Sequence, residues 1–90
     1  MCDWKFQPGR IVVTRTAVEV LLPEDMFSAL ARHLHGDWGE VDVEDWQTNE
    51  VGLAEGERLL SAYHTSTGNK FWIITEWDRS LTTILLPSDY

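Results

Sequence analysis

The sequence has a single cysteine, Cys2, among its 90 residues. One cysteine cannot close an internal disulfide, and the usual zinc spacings with several cysteines are absent as well. No apolar run is long enough to span a membrane, and the N-terminus lacks the hydrophobic core of a signal peptide. The length of 90 residues leads us to expect a single domain over residues 1–90. The lone cysteine leads us to expect a reducing cytoplasm.

Basic residues are also scarce, and none occurs between Arg32 and Arg58. The formal net charge is −8, from seven Lys and Arg residues against fifteen Asp and Glu residues. The gap itself contains eight carboxylates, which are Asp37, Glu40, Asp42, Glu44, Asp45, Glu50, Glu55 and Glu57. Such a surface repels phosphate backbones, so direct nucleic-acid binding is not expected. It attracts a basic partner, including a protein that itself binds nucleic acid.

The C-terminal third contains three runs rich in Ile, Leu, Thr and aromatic residues, separated by turn formers. The runs cover residues 58–65, 70–77 and 81–86. This pattern predicts three strands in an antiparallel meander. The turn formers at 66–69 predict a four-residue hairpin loop, which places Thr65 opposite Lys70 and Tyr63 opposite Trp72.

The N-terminal part predicts a strand followed by helices. Residues 10–14 are a short β-branched run and predict a strand, and Thr16 with Glu19 matches a capping box that starts a short helix. Pro23 suits the first turn of a second helix over residues 23–35, which Gly36 ends. The apolar stripe predicted for this second helix consists of Phe27, Leu30, Ala31 and Leu34.

A third helix is predicted to begin after Asp42, which caps it, and to end at Gly56. The predicted elements together indicate an α+β domain. We expect a three- or four-stranded antiparallel sheet, whose C-terminal part is the meander, with two or three helices packed mainly on one face.

The acidic stretch is the main candidate for a binding surface. Its carboxylates either form a plain solvated surface or contact a partner, with the charge drawing the partner in and the indole of Trp38 or Trp46 anchoring it. The candidate residues are Asp37, Trp38, Glu40, Asp42, Glu44, Asp45, Trp46 and Glu50. Trp38 stands between Gly36 and Gly39, and it is either an exposed anchor of this kind or a buried one that pins its loop onto the sheet.

Other functions remain open from the sequence. A small ligand- or metal-binding accessory protein would use His33, His35, Asp37 and His64, although two histidines in a His-x-His pair point away from each other on a helix. The alternative for these histidines is a solvent-facing position at a helix end. A homodimer that closes through the second apolar face of the sheet is the third hypothesis. No catalytic triad or phosphate loop is visible, so we expect neither an enzyme nor a cofactor.

Several segments resemble a largely uncharacterised family of small proteins encoded on proteobacterial plasmids and other mobile elements. The matching segments are His-Gly-Asp-Trp-Gly at 35–39, Asp45 with Asn49, and residues 58–63, 72–76 and 82–87. The resemblance covers roughly residues 10–90, and it implies an origin in a mobile element. It assigns no catalytic residue to any position of this sequence.

Overall fold

The computed structural model describes residues 3–90, and Cys2 lies outside the described part. The elements follow one another as a strand, three helices and three more strands, with a short 3-10 helix (Pro87–Asp89) near the C-terminus. The strands are β1 (Arg10–Val13), β2 (Leu59–His64), β3 (Lys70–Thr75) and β4 (Leu81–Leu85). The helices are α1 (Arg15–Val20), α2 (Pro23–Leu34) and α3 (Val43–Glu55). None of the helices in residues 3–90 combines the length and the apolar character that crossing a bilayer requires.

The sheet confirms the predicted α+β fold and its meander. Its strand order is β1-β4-β3-β2, and both pairs of the meander are antiparallel. The prediction of an all-antiparallel sheet is wrong at one place, because β1 pairs with β4 in parallel. Parallel strands need a crossover connection, which here contains all three helices as well as β2 and β3.

The predicted register of the β2–β3 hairpin is wrong by one residue. His64, not Thr65, lies opposite Lys70, so Tyr63 faces Phe71 instead of Trp72. Thr65 belongs to the loop, because its hydroxyl accepts from the backbone N–H of Asn69 at 3.1 Å. A slip of one residue exchanges the two faces of a strand. Phe71 therefore points into the helix-covered core.

Helix α1 begins two residues earlier than predicted. The cap is Thr14, whose hydroxyl accepts from the backbone N–H of Ala17 at 3.3 Å. Thr16 lies inside the helix, and its hydroxyl donates to the carboxylate of Asp89 at 2.5 Å. Thr14 also donates to Asp89, at 2.7 Å, so the start of α1 is tied to the C-terminal 3-10 helix.

Helix α2 buries only part of the predicted stripe. Leu34 is buried and Leu30 packs against both core clusters, as predicted, but Phe27 is 70% exposed and Ala31 is exposed, whereas Ala29 and His33 are buried. The predicted stripe is wrong at two of its four positions because several neighbouring faces of this helix carry apolar residues. The buried hydrogen bonds of His33, described below, favour the face that points this histidine into the core.

Two clusters of buried side chains form the core. The first joins the helices to the helix-covered face of the sheet and contains Ala17, Leu21, Ala29, Tyr63, Phe71, Ile73 and Ile84. The second contains Phe6, Leu34, Trp38 and Leu59. The opposite face of the sheet carries the buried residues Ala62, Ile74 and Leu85. Part of that face is covered by Tyr90, whose ring lies edge-on to Trp72 at 5.7 Å between centroids.

Candidate functional site

The acidic stretch begins with a clamped loop between α2 and α3. The guanidinium of Arg32 donates two hydrogen bonds to Asp37, at 2.8 and 3.3 Å. The other contacts of Asp37 hold the loop as well: its carboxylate accepts from the N–H of Gly39 at 3.1 Å, and its carbonyl accepts from the hydroxyl of Tyr63 at 2.6 Å. The hydrogen bond from Arg32 lowers the pKa of the Asp37 carboxyl. Asp37 thus holds the loop in place.

Trp38 is a buried anchor. The indole is 0% exposed, and its Nε1–H donates to the carboxylate of Glu50 on α3 at 2.7 Å. Phe6 stacks on it at 6.2 Å between ring centroids, and His33 meets it edge-on at 5.6 Å. A buried Trp needs a partner for its N–H, and Glu50 supplies one. The hypothesis of an exposed anchor is therefore wrong for Trp38.

The loop and α3 together close the outer edge of β2. The N–H of Ala62 donates to the carbonyl of Trp38 at 3.1 Å, and the N–H of Glu40 donates to the carbonyl of Ala62 at 2.7 Å. Asn49, which is buried, uses its side-chain amide like a piece of backbone. It donates to the carbonyl of Leu60 at 2.7 Å and accepts from the Leu60 N–H at 3.0 Å. These bonds satisfy groups that an edge strand would otherwise expose.

Both ends of α3 are capped as the sequence predicts. The carboxylate of Asp42 accepts from the N–H of Asp45 at 2.8 Å, and Gly56 ends the helix in the left-handed conformation at φ 75°. The sequence did not predict Arg79, whose guanidinium donates to the carbonyl of Gly52 in the last turn at 3.0 Å. A cation at this end complements the helix dipole.

The outward face of α3 carries apolar side chains next to carboxylates. Val43 is 74% exposed, Val51 is 55% exposed, and the indole of Trp46 is 36% exposed. A shallow, open groove of about 390 Å³ runs along this face, and it is lined by Glu44, Gln47, Thr48 and Val51. Helix α3 contains no Lys or Arg. The face therefore combines apolar contact area with negative charge only.

The structure divides the eight predicted binding residues into two sets. Five of them have contacts within the chain through their side chains, and these are Asp37, Trp38, Glu40, Asp42 and Glu50. For Glu40 the contact is with the imidazole of His64. The other three are Glu44, Asp45 and Trp46, which are exposed on α3. Across residues 3–90 the carboxylates of Glu44 and Asp45 accept no hydrogen bond and form no ion pair.

The proposed metal ligands are not brought together. No group of three or more His, Cys, Asp or Glu side chains in residues 3–90 is arranged to hold a metal ion. His33 is 0% exposed, so its expected solvent-facing position is wrong. His35 is exposed, and its Nδ1 contacts the carbonyl of Ala31 at 2.6 Å.

A buried chain of hydrogen bonds fixes the tautomer of His33. The carbonyl of Pro8 only accepts, so Thr82 donates to it at 2.7 Å, and Thr75 in turn donates to Thr82 at 2.7 Å. The Thr75 oxygen then accepts from Nε2–H of His33 at 2.9 Å. Nδ1 of His33 is therefore unprotonated and accepts from the hydroxyl of Ser61 at 2.5 Å.

Ser61 and His33 have the hydrogen bond of a nucleophile with its base, but both are 0% exposed. A substrate cannot reach the Ser61 hydroxyl in this conformation, so we interpret the contact as structural. Burial, and secondarily the charge of Arg79, lowers the pKa of His33 to about 3. The imidazole therefore stays neutral over the whole range in which a free histidine titrates.

Sequence reasoning missed Asn49 and His33 as structural residues. Both are polar residues on the buried sides of their helices, and a buried polar side chain requires partners. The sequence does not show which side of each helix is buried, so it does not single these two residues out. Their partners Leu60, Ser61 and Thr75 lie on β2 and β3, and no local pattern identifies them.

Three comparisons with known proteins add no assignment to this geometry. No family model, curated protein or solved structure matches the chain.

Proposed function

We propose that the chain is a small, acidic, non-enzymatic protein-interaction module that binds a basic surface on a partner protein. The observation that carries this proposal is the outward face of α3. Val43 and Val51 are exposed there beside the carboxylate of Glu44, and Asp45 and Trp46 are exposed on adjoining sides of the helix. In residues 3–90 the carboxylates of Glu44 and Asp45 have no hydrogen-bond or ion-pair partner. The other predicted binding residues hold the fold, so the contact surface is smaller than the sequence indicated.

The charge distribution supports a basic partner. Two unpaired carboxylates on a helix without Lys or Arg attract cationic side chains, and the neighbouring apolar groups bury area once the partner is in place. A protein that binds nucleic acid has such a basic surface, and it is the partner class that we propose. The resemblance to proteins of mobile elements suggests a partner in a bacterial cytoplasm.

The test is quantitative capture from a proteobacterial lysate with the tagged chain and a matched pair of variants. In one variant Glu44→Gln and Asp45→Asn remove two charges from the first turn of α3. In the control, Glu24→Gln and Asp25→Asn remove two charges from the first turn of α2. The two variants have the same net charge, and they lose it at the same helical positions on different surfaces.

We expect the α3 variant to retain less of a specific set of basic proteins than the α2 variant. Exposed ion pairs contribute about 0.2–1 kcal/mol each, so two of them correspond to a loss of up to about thirtyfold in affinity. Raising the salt concentration should release the same proteins. Equal retention by both variants would show that α3 is not the binding surface.

A further inference from the structure

The two edges of the sheet, β2 and β1, differ in how far their outward backbone groups are hydrogen-bonded. The outer edge of β2 is closed, because Leu60 bonds with Asn49 and Ala62 bonds with the loop before α3. The other edge is β1. A strand edge with free N–H and C=O groups is a template for pairing with another strand, and proteins usually block it with Lys, Pro, a bulge or a covering segment.

In residues 3–90 the edge of β1 has no Lys, no Pro, no bulge and no strand paired beyond it, and its protection is limited to its length of four residues and the charge of Arg10. The N–H of Arg10 donates to the carbonyl of Ser80, the residue before β4, and the N–H of Thr14 donates to the carbonyl of Ile84 in β4, both at 3.0 Å. Strand alternation then directs the N–H and C=O groups of Ile11 and Val13 away from β4. In residues 3–90 β4 is the one strand that pairs with β1, and no loop carbonyl accepts from the N–H of Ile11 or Val13. The strand contains no Lys or Pro, and Ile11 is 44% exposed.

We propose that β1 pairs with β1 of a second copy of this chain, in antiparallel orientation about a two-fold axis. The free groups suit this arrangement. With Ile11 opposite Val13 of the second copy, and Val12 on the axis, each of the two Ile11–Val13 pairs exchanges two N–H···O=C bonds. The four strands of each copy then form one continuous sheet, and the open edge of each copy is closed.

The side chains fit this register. Each cross-strand pair of Ile11 and Val13 is β-branched and apolar, which is a favourable combination in a sheet. Arg10 lies opposite Thr14 of the second copy, so no like charges meet directly. An isologous interface needs this kind of self-complementarity, because the same patch is used by both copies.

The most acidic surface of the chain lies away from this edge. Residues 4–23 contain three cations, which are Lys5, Arg10 and Arg15, and a single carboxylate, Glu19. The formal net charge of this segment is therefore +2 in a chain of net charge −8, so the edge does not belong to the acidic surface. Helix α3 packs along β2, at the other end of the sheet, so the acidic faces of two copies lie far apart in the dimer. The inference does not depend on the proposed function of α3.

Light scattering of the purified chain over a wide concentration range tests the dimer. We expect the mass to rise towards twice that of the monomer as the concentration increases. Ile11→Lys places a charge on the edge and should keep the chain monomeric, since strand edges are blocked in this way. The matched control is Val43→Lys, which adds the same charge to an exposed position on α3 and should dimerise like the unmodified chain.

Hydrogen exchange supplies a second readout that does not depend on a variant. The N–H groups of Ile11 and Val13 should become protected as the concentration rises, whereas protection of Val12, which faces β4, should not depend on concentration. A chain that stays monomeric over the whole concentration range would overturn the proposal, because β1 would then not pair with a second copy. Dimerisation of the Ile11→Lys variant at the same concentration as the unmodified chain would overturn it as well.

Discussion

His33 should make the protein sensitive to mild acid. The histidine is buried and neutral, its pKa is lowered to about 3, and the ordinary value is 6.5. Below pH 6.5 the unfolded chain therefore binds a proton at this residue, and the folded chain does not. Stability rises with pH wherever the unfolded state binds more protons. The free energy of unfolding should accordingly fall as the pH drops from about 6.5 towards 3.

The magnitude follows from the same two pKa values. Each full pH unit within this window costs about 1.4 kcal/mol, and the fall between pH 6.5 and 5.0 is about 1.6 kcal/mol because the titration is only half complete at pH 6.5. In urea this corresponds to a fall of about 1 M in the midpoint. Asp37 and Asp89 have lowered pKa values, so both stay ionised between pH 5.0 and 6.5 and contribute little there.

The assay is urea unfolding at several pH values for the unmodified chain and for two variants. His33→Gln keeps a polar side chain without a titrating proton, so the slope between pH 5.0 and 6.5 should become flatter. Its stability at pH 7 should fall as well, because the bonds to Ser61 and Thr75 are disturbed, and for that reason the slopes are compared. His35→Gln is the control and should keep the slope. An unmodified chain with a flat profile, or an unchanged slope in His33→Gln, would refute the reasoning.

Two further predictions concern the closed edge of β2, and both are read out as the free energy of unfolding. Asn49→Ala leaves the backbone N–H and C=O of Leu60 without a partner, and each loss should lower the free energy of unfolding by about 1–3 kcal/mol. The control is Thr48→Ala at an exposed position of the same helix, and it should change the stability little. Equal effects of the two variants would contradict the role of the Asn49 amide. Gly39→Ala puts a Cβ 2.1 Å from a backbone oxygen of β2, so it should destabilise far more than Gly56→Ala, which shares the positive φ but has open space around it. A Gly39→Ala variant as stable as Gly56→Ala would show that the loop does not approach the strand this closely.

Most features set by neighbouring residues could be predicted from the sequence, although the cap of α1 is Thr14 and not the predicted Thr16. Asp42 and Gly56 cap α3 as expected, and Pro23 occupies the first position of α2, because caps depend on residues within one turn. The meander was also predictable, since its runs and turns alternate clearly. The hairpin register was not, because it depended on whether Thr65 ends the strand or opens the loop, and its hydrogen bonds with Asn69 decide that.

Features set by distant residues could not be predicted in this way. The parallel pairing of β1 with β4 joins residues at opposite ends of the chain. His33 meets Ser61 and Thr75 across 28 and 42 residues, and these contacts decide which face of α2 is buried. For the candidate site, composition points to the acidic segment, and its role in binding stays a prediction. Only the packing separates carboxylates that hold the loop from those that are free.

Site-specific photocrosslinking tests the central claim, the binding surface on α3, most directly. A photoreactive residue is placed at Val51 on α3, which is 55% exposed, and in a second bait at Val18 on α1, which is 57% exposed. Both baits are irradiated in a proteobacterial lysate at low salt. The account predicts adducts with a basic protein at Val51 that are absent at Val18 and are lost at high salt. The same adducts at both positions, or none at Val51, would contradict it.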